Sequence, residues 1–323
     1  MSALKVSDLS IDFQVGDDWQ QAVSNVSFEL RPGEILGLVG ESGCGKSTVA
    51  YSLLKLLPGN ARISSGQVQF DGRNLAALDD EELRELRGAR LGMIFQNPMT
   101  ALDPVQRIGR QIEESLEEHL GLNRTDARAM AIDLLRSVAI PAPEQRYHAY
   151  PHELSGGMRQ RVALAIAMAC HPEILIADEP TTALDVTIQA QILQLIRTLL
   201  VEQRRAGVLL ITHDLGVVAE VCDRVAVMYA GEIVEAGDVR SIFADPRHPY
   251  TRALLAAAPR GDVPRGELAT IPGRVPGLGQ RPQGCRFRGR CASELPACAD
   301  PSGPPRLQLT PDREVACVLY AGQ

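Results

Sequence analysis

The sequence lacks any long hydrophobic run. Its longest apolar candidate, Val162 to Cys170, falls far short of the ~18–20 residues needed to cross a bilayer. The first ten residues, MSALKVSDLS, contain no apolar segment of the kind found in secretory signal peptides. We therefore expect a cytosolic chain, for which any role at a membrane comes through partner subunits.

The chain also has fewer basic than acidic residues. The chain has 33 Lys and Arg against 40 Asp and Glu, which gives a net charge of -7 and a pI of about 5.5. This balance argues against nucleic acid as the main partner, because proteins that bind it neutralise phosphates with a basic surface. Lysine itself is confined to Lys5, Lys46 and Lys55, so the lysine in a glycine-rich segment stands out.

That segment, GESGCGKST, spans Gly40 to Thr48 and matches the spacing of a P-loop. An apolar strand precedes it and a helical pattern follows it, which is the context that the motif requires. Glycines let successive main-chain N–H groups turn toward phosphate oxygens, and the helix N-terminus favours an anion. Lys46 is predicted to reach the β- and γ-phosphates and Ser47 to bind Mg²⁺. The predicted nucleotide contacts of this loop are Gly40, Ser42, Gly43, Cys44, Gly45, Lys46, Ser47 and Thr48.

A second apolar strand, Ile174 to Ala177, ends in two carboxylates. Ligands of doubly wound folds bind at the carboxyl edge of the sheet. Asp178 is therefore predicted to hold Mg²⁺, and Glu179 to act as the general base on the attacking water. The Asp-Glu pair could instead begin a helix as N-cap residues, but its occurrence beside a P-loop favours the magnesium site.

A third motif, LSGGMRQR, places Ser155, Gly156 and Gly157 before an apolar helix. Such a start is a second candidate anion site at a helix N-terminus. One ATP does not need two of these sites from one chain. We therefore predict that this loop caps the γ-phosphate of ATP held by another subunit; an ordinary capped helix is the alternative.

The order of these motifs resembles that of ABC-type ATPases. The resemblance extends to Gln96 as the Q-loop residue, to Ala183-Leu184-Asp185 as the D-loop, and to His213 as the switch histidine. It implies that Gln96 contributes to catalysis and to Mg²⁺ binding, that Asp185 contacts the site, and that His213 contacts the γ-phosphate. A lone histidine after a strand is otherwise usually structural.

The same resemblance implies an aromatic ring that stacks on adenine near the N-terminus. Phe13 fits this position by its spacing, and Trp19 is the alternative. Either ring could equally pack within a strand. Stacking of a base on an aromatic ring is worth ~1–3 kcal/mol, so loss of the correct ring should weaken nucleotide binding modestly.

Three further segments resemble the ATPase subunits of dipeptide and oligopeptide importers, and among these the first ATPase subunit of the dipeptide importers. They are Met93 to Pro104 (MIFQNPMTALDP), Asp178 to Gln191 (DEPTTALDVTIQAQ) and Arg247 to Thr251 (RHPYT). The resemblance implies an ATPase that powers peptide import and forms a heterodimer with a second, related ATPase. Two membrane permeases and a periplasmic peptide-binding protein complete the implied complex, at the cytoplasmic face of the inner membrane.

The cargo stays open, because peptides never touch the ATPase in such systems. Haem, nickel chelates and antimicrobial peptides are alternatives to dipeptides and longer peptides. ABC-type ATPases also serve DNA repair and translation. Those chains carry two cassettes or a long coiled-coil insertion, whereas this one has a single cassette without heptads.

The predicted fold class is α/β: a P-loop NTPase of the ABC type with an N-terminal antiparallel β subdomain, a helical insertion and a Cys-rich C-terminal extension. Residues 1–98 and 155–240 are predicted as the ATPase core, because strands and helices alternate there. Residues 99–154 are predicted as the helical subdomain and residues 241–323 as the extension. Ten of the 21 prolines lie beyond residue 258 without periodicity, which predicts a tail that is disordered or held by something other than a core.

Cysteine is scarce and scattered through the first 240 residues but concentrated in the tail as Cys285-x5-Cys291-x6-Cys298-x18-Cys317. Disulfides are unfavourable in the cytosol. Four thiolates suit tetrahedral zinc, although zinc sites usually contain closely spaced Cys pairs; an iron–sulfur cluster is the third interpretation. The peptide-importer resemblance includes the Cys-x-Phe-x-x-Arg-Cys pattern at 285–291 and implies a structural [4Fe-4S] cluster, with Zn²⁺ as the alternative.

Overall fold

The computed structural model describes residues 4–97, 101–182, 184–258 and 270–321. The strands are β1 (Leu4–Val15), β2 (Asp18–Leu30), β3 (Ile35–Val39), β4 (Ala61–Phe70), β5 (Arg73–Asn74), β6 (Leu91–Ile94), β7 (Ile174–Asp178), β8 (Gly207–Thr212), β9 (Arg224–Tyr229), β10 (Glu232–Asp238), β11 (Arg306–Thr310) and β12 (Arg313–Ala316). The helices are α1 (Lys46–Leu53), α2 (Asp80–Leu86), α3 (Ile108–Leu120), α4 (Arg124–Ser137), α5 (Pro143–Arg146), α6 (Gly156–Met168), α7 (Val186–Ile196), α8 (Leu215–Val221), α9 (Val239–Ala244) and α10 (Pro249–Ala257). Within these ranges, no helix is both long and apolar enough to span a membrane.

The chain divides into two compact units. The first comprises Met1–Leu4, Leu30–Ile35 and Ala77–Ile211, and the second comprises Lys5–Glu29, Leu36–Ala76 and Thr212–Gln323.

In the first unit, β7 pairs in parallel with β6 on one side and with β8 on the other. Every residue of β7 and β8 is buried, as expected for parallel strands with both faces covered. Because the three strands run in one direction, their carboxyl ends share one edge. Gln96 follows β6 at this edge, and Asp178 ends β7.

Helices α3, α4 and α5 form the helical part of the first unit. Ile108, Ile112 and Leu116 of α3 are fully buried, which follows from their four-residue spacing. Helix α4 begins after Asn123, whose side chain accepts hydrogen bonds from two main-chain N–H groups of the first turn. The side chain of Gln111 ties α3 to the preceding loop by bonds to main-chain groups of Asp103 and Gln106.

The second unit contains a sheet with the strand order β2-β1-β4-β5. A two-residue turn joins β1 to β2, and β4 pairs with β5 in antiparallel fashion. The antiparallel N-terminal sheet expected from the alternation of apolar residues is therefore present. A second set of strands has the order β11-β12-β10-β9-β3, in which β3 and β9 are parallel and the others antiparallel.

The C-terminal tail corrects the sequence prediction, because part of it has a core. Strand β12 pairs with β10, with Val315 opposite Glu235, and β11 completes a hairpin. Val315, Cys317 and Tyr320 are buried, and Leu307, Leu309 and Leu319 pack against them. The composition of the tail did not predict this apolar cluster. A short hairpin can form main-chain hydrogen bonds with a strand that already exists, so it needs few apolar residues of its own.

Candidate functional site

The P-loop of the second unit follows β3 and leads into α1. Gly40 has φ 155°, and a Cβ atom there would lie 2.1 Å from the main-chain oxygen of Met228. Only glycine therefore lets the loop pass so close to β9. Gly45 has φ 109° and is the N-cap of α1, so the helix begins at Lys46, within the motif itself.

Lys46 lies folded over its own loop. Its side chain is buried, and Nζ donates hydrogen bonds to the main-chain oxygens of Gly40, at 2.8 Å, and Glu41, at 3.0 Å. Cys44 is buried beside it, and burial raises the pKa of this thiol against the opposing charge of Lys46. The loop therefore holds one ammonium group in a set position above its glycines, which suits binding of a polyphosphate.

His213 follows β8, and its side chain is exposed. Asp214 fixes the turn, because its carboxylate accepts from the main chain of Gly216 at 2.8 Å and its own N–H donates to Thr212 Oγ1 at 3.0 Å. His213 lines a hollow of about 470 Å³ together with Leu254 and other residues of the second unit. The histidine thus stands on a rigid turn with its ring accessible.

The two candidate adenine-stacking rings lie on either side of the β1–β2 turn. Phe13 is half-buried in β1, whereas Trp19 of β2 is exposed. The guanidinium of Arg62 lies 4.0 Å from the centre of the Trp19 ring, which is a cation–π contact. One face of Trp19 is therefore already covered.

Glu179, the candidate general base, lies in the first unit. Glu179 Oε2 accepts hydrogen bonds from Gln96 Nε2 at 3.0 Å and from Thr182 Oγ1 at 2.8 Å. Glu179 has φ 47°, a left-handed conformation that costs energy for a residue other than glycine and is concentrated at functional sites. Asp178, the preceding residue, is fully buried. The structure thus brings together Gln96 and Glu179, two of the residues predicted from sequence.

The Ser155 motif begins α6, whose first residue is Gly156. Ser155 is the N-cap, and its side chain accepts from the N–H of Met158 at 3.3 Å. A Cβ atom on Gly157 would lie 2.9 Å from Ile188 Cγ2, whereas Gly156 is exposed and has room for one. Gly157 therefore lets α6 pack against α7, and Ser155 and Gly156 are exposed at the helix start.

Asp185 has the same local role for the next helix. Its carboxylate accepts from the N–H of Ile188 at 2.9 Å and caps α7. The side chain of Asp185 is otherwise exposed. Ala183 of the predicted D-loop, and Pro98 to Thr100 of the segment after Gln96, lie outside the described residues.

Two of the four tail cysteines are joined through their main chains, because the N–H of Cys285 donates to the carbonyl oxygen of Cys298 at 2.9 Å. Burial raises the pKa of Cys285 to about 11, with smaller contributions from Cys298 and Cys317. Burial also raises the pKa of Cys291, to which Cys298 contributes. Four cysteine thiols are ligands of the type that binds zinc or an iron–sulfur cluster. Across the described ranges, however, no three His, Cys, Asp or Glu side chains are arranged to hold a metal ion.

Two contacts to the P-loop were missed from sequence. Tyr250 Oη accepts from the N–H of Glu41 at 2.9 Å, and Arg290 forms an ion pair with the Glu41 carboxylate. Both residues belong to segments that the sequence analysis singled out only for their resemblance to peptide importers. No short-range spacing connects them to the loop, so only the resemblance could have drawn attention to them.

Two protein-family models match the chain. The ABC transporter model covers residues 23–182, and the model for the C-terminal region of oligopeptide/dipeptide transporters covers residues 234–298. The dipeptide transport ATP-binding protein DppD of Bacillus subtilis is 49% identical over 91% of this chain and 88% of its own. The chain belongs to the ABC transporter ATPases. This confirms the predicted family, enzyme class and P-loop fold.

Other similarities agree with this assignment. The oligopeptide transport ATP-binding protein OppD of Salmonella typhimurium is 47% identical over 97% of this chain and 92% of its own. Among solved structures, the ADP- and Pi-bound dimer of the ATP-binding cassette MJ0796 has a TM-score of 0.66 and 29% identity, and it covers 73% of this chain and 99% of its own. The roles of individual residues in this ABC ATPase remain predictions.

Proposed function

We propose that this ABC ATPase powers the import of di- or oligopeptides. The observation that carries the proposal is the combination of an ABC transporter match at residues 23–182 with an oligopeptide/dipeptide transporter match at residues 234–298. Relatives named for dipeptide and for oligopeptide transport are almost equally similar, at 49% and 47% identity. We therefore propose the peptide class as cargo and leave peptide length to experiment.

In the proposed reaction, Glu179 takes a proton from the water that attacks the γ-phosphate of ATP. Its hydrogen bonds from Gln96 and Thr182 support this role, because two donors hold the carboxylate in one orientation. The proposed phosphate contacts are the P-loop residues and His213, the proposed Mg²⁺ ligands are Ser47, Gln96 and Asp178, and the proposed adenine-stacking ring is Phe13. The partly covered face of Trp19 supports the choice of Phe13.

A second ATPase subunit completes the proposed site. Ser155 and Gly156 stand exposed at the start of a 13-residue helix, where they can meet the γ-phosphate of ATP bound by the partner. The dimeric arrangement of the MJ0796 cassette supports this proposal. We propose that the partner is a related but different chain. Residues 99–154, which include α3 to α5, would form the helical subdomain that acts on two membrane permeases. The assembly would lie at the cytoplasmic face of the inner membrane, and a periplasmic peptide-binding protein would deliver cargo.

The cargo is tested by uptake. In a strain lacking this chain, wild type should restore uptake of labelled dipeptides, whereas Lys46→Ala should not, because transport is driven by ATP. Restored uptake of longer peptides instead would identify an oligopeptide importer. If neither class depends on the chain, the peptide proposal is wrong and haem, nickel chelates and antimicrobial peptides become the candidates.

We further propose that Cys285, Cys291, Cys298 and Cys317 hold a [4Fe-4S] cluster that stabilises the tail. The main-chain hydrogen bond from Cys285 to Cys298, at 2.9 Å, supports a shared ligand set, and the thiols would have to close around the metal. Cys285→Ser is expected to lose iron and sulfide and to become sensitive to protease in the tail, because the hairpin core covers only the last part of it. Anaerobic purification followed by metal analysis and limited proteolysis measures both effects.

Cys222→Ser serves as the control, since Cys222 is a buried thiol outside the tail. It should retain the metal content of wild type. Zinc in place of iron in the wild-type protein would select the alternative metal. A Cys285→Ser variant whose tail is as well protected as that of wild type would rule out the stabilising role.

A further inference from the structure

The side chain of Arg290, a residue of the tail, binds the P-loop of the second unit. Its side chain is 9% exposed, and its guanidinium forms two parallel hydrogen bonds with Glu41, from Nη1 to Oε2 at 2.9 Å and from Nη2 to Oε1 at 3.0 Å. Bidentate arginine–carboxylate pairs combine charge with a fixed relative orientation. This pair is therefore unlike exposed ion pairs, which contribute little.

The guanidinium is itself held from several sides. Its Nε donates to the main-chain oxygen of Pro272 at 2.7 Å, and Nη1 also donates to Tyr229 Oη at 3.2 Å. It lies over the rings of Tyr229 and Phe287, which pack against each other and against Tyr250. Phe287 and Arg290, the two non-cysteine positions of the Cys-x-Phe-x-x-Arg-Cys pattern, thus form one rigid support under the loop.

The main chain of Glu41 connects Arg290 and Tyr250 to the rest of the P-loop. Its N–H donates to Tyr250 Oη at 2.9 Å, and its carbonyl oxygen accepts from Lys46 Nζ at 3.0 Å and from the N–H of Cys44 at 3.3 Å. The Glu41 side chain is thus bound to the tail, and its carbonyl helps to place the ammonium group. A shift of the Glu41 peptide would move one of the two carbonyl oxygens that hold Lys46.

We propose that Arg290 is a positioning residue for nucleotide binding: by clamping Glu41, it holds the P-loop backbone and Lys46 in the arrangement that receives the phosphates of ATP. The inference rests on the proposed role of Lys46 in ATP binding. The physical reason is preorganisation. Without the clamp, the Glu41 peptide samples other conformations, and ATP must order it again at a cost in binding free energy.

The test measures binding of a non-hydrolysable ATP analogue with Mg²⁺ to the full chain by isothermal titration calorimetry. Arg290→Ala and Glu41→Gln are each expected to raise Kd by ~10-fold, equivalent to ~1.4 kcal/mol. The double variant should be no weaker than either single one, because both changes break the same link. Arg290→Lys should fall between wild type and Arg290→Ala, since lysine keeps the charge but cannot bind in bidentate fashion.

Arg288→Ala is the matched control. Arg288 lies two residues away in the same loop, and its side chain forms no hydrogen bond or ion pair with the described part of the chain. It should bind the analogue as wild type does. In the assembled transporter, Arg290→Ala should raise KM for ATP while kcat at saturating ATP stays within ~2-fold, because the clamp acts on binding and not on the base.

Glu41→Gln separates positioning from folding of the tail, because it keeps the size of the side chain and removes only its charge. A wild-type Kd for Glu41→Gln, or an additive double variant, would overturn the inference whatever happens to the tail of Arg290→Ala. Lys46→Ala is the reference for the proposed function. If it binds the analogue like wild type, the nucleotide role of Lys46 fails first; if it alone loses binding, only the role of Arg290 fails.

Discussion

Replacing Lys46 with alanine is expected to lower ATP hydrolysis by ~10²-fold or more, the typical effect of removing one fixed donor to developing negative charge. The ammonium group is buried and already held by two carbonyl oxygens of the loop, so little ordering is needed when phosphates arrive. ATPase assays of the assembled transporter, with calorimetry on the full chain, measure the effect.

Lys5→Ala is the matched control, because Lys5 is an exposed lysine of β1. It should hydrolyse ATP at the wild-type rate. Thermal unfolding of both variants shows whether the fold is kept, since Lys46→Ala also removes two hydrogen bonds within the loop. Full ATPase activity in a folded Lys46→Ala variant would show that the loop does not serve the nucleotide as proposed.

Replacing Glu179 with glutamine is expected to separate ATP binding from hydrolysis. The amide keeps the size of the side chain, and its oxygen can still accept from Gln96 and Thr182, so the local geometry should survive. The variant loses the base, which is worth ~10²–10⁴-fold in rate. It should therefore bind ATP, hydrolyse it slowly and accumulate a closed dimer with the proposed partner ATPase, measured by turnover and by size-exclusion chromatography with ATP.

Glu173→Gln provides the comparison. Glu173 forms a half-exposed ion pair with Arg90 at 2.6 Å, before β7 rather than after it. Its loss should leave the rate of hydrolysis unchanged, since a pair of this kind contributes little. Hydrolysis by Glu179→Gln at the wild-type rate would mean that another group activates the water.

Much of the candidate site was predictable because its chemistry depends on short spacings. The glycines, Lys46 and Ser47 fall within nine residues, and a buried strand immediately precedes both the P-loop and Asp178. The start of a helix is harder to predict from apolar periodicity. The chain enters α6 at Gly156 because Ser155 caps it, whereas apolar periodicity becomes visible only later in the helix.

The tail shows where sequence reasoning fails. Its prolines and missing periodicity suggested a segment without a core, yet β12 pairs with β10 and Arg313 forms a buried ion pair with Glu235 at 2.9 Å. Glu235 also accepts from the N–H groups of Arg247 and His248. Such a segment gains its order from a strand and a carboxylate elsewhere in the chain, which local composition does not report.

The sequence by itself determined that this protein is an ABC-type ATPase, because a P-loop, an LSGG segment and a strand that ends in Asp-Glu occur in the order of that family, and each of these motifs is a short local pattern. Only the tertiary structure decided that Arg290 supports this loop. The arginine and Glu41 are 249 residues apart, and their contact depends on how β9, α10 and the tail pack around Phe287. Packing of this kind depends on side-chain shape in three dimensions, and no local pattern of residues encodes it.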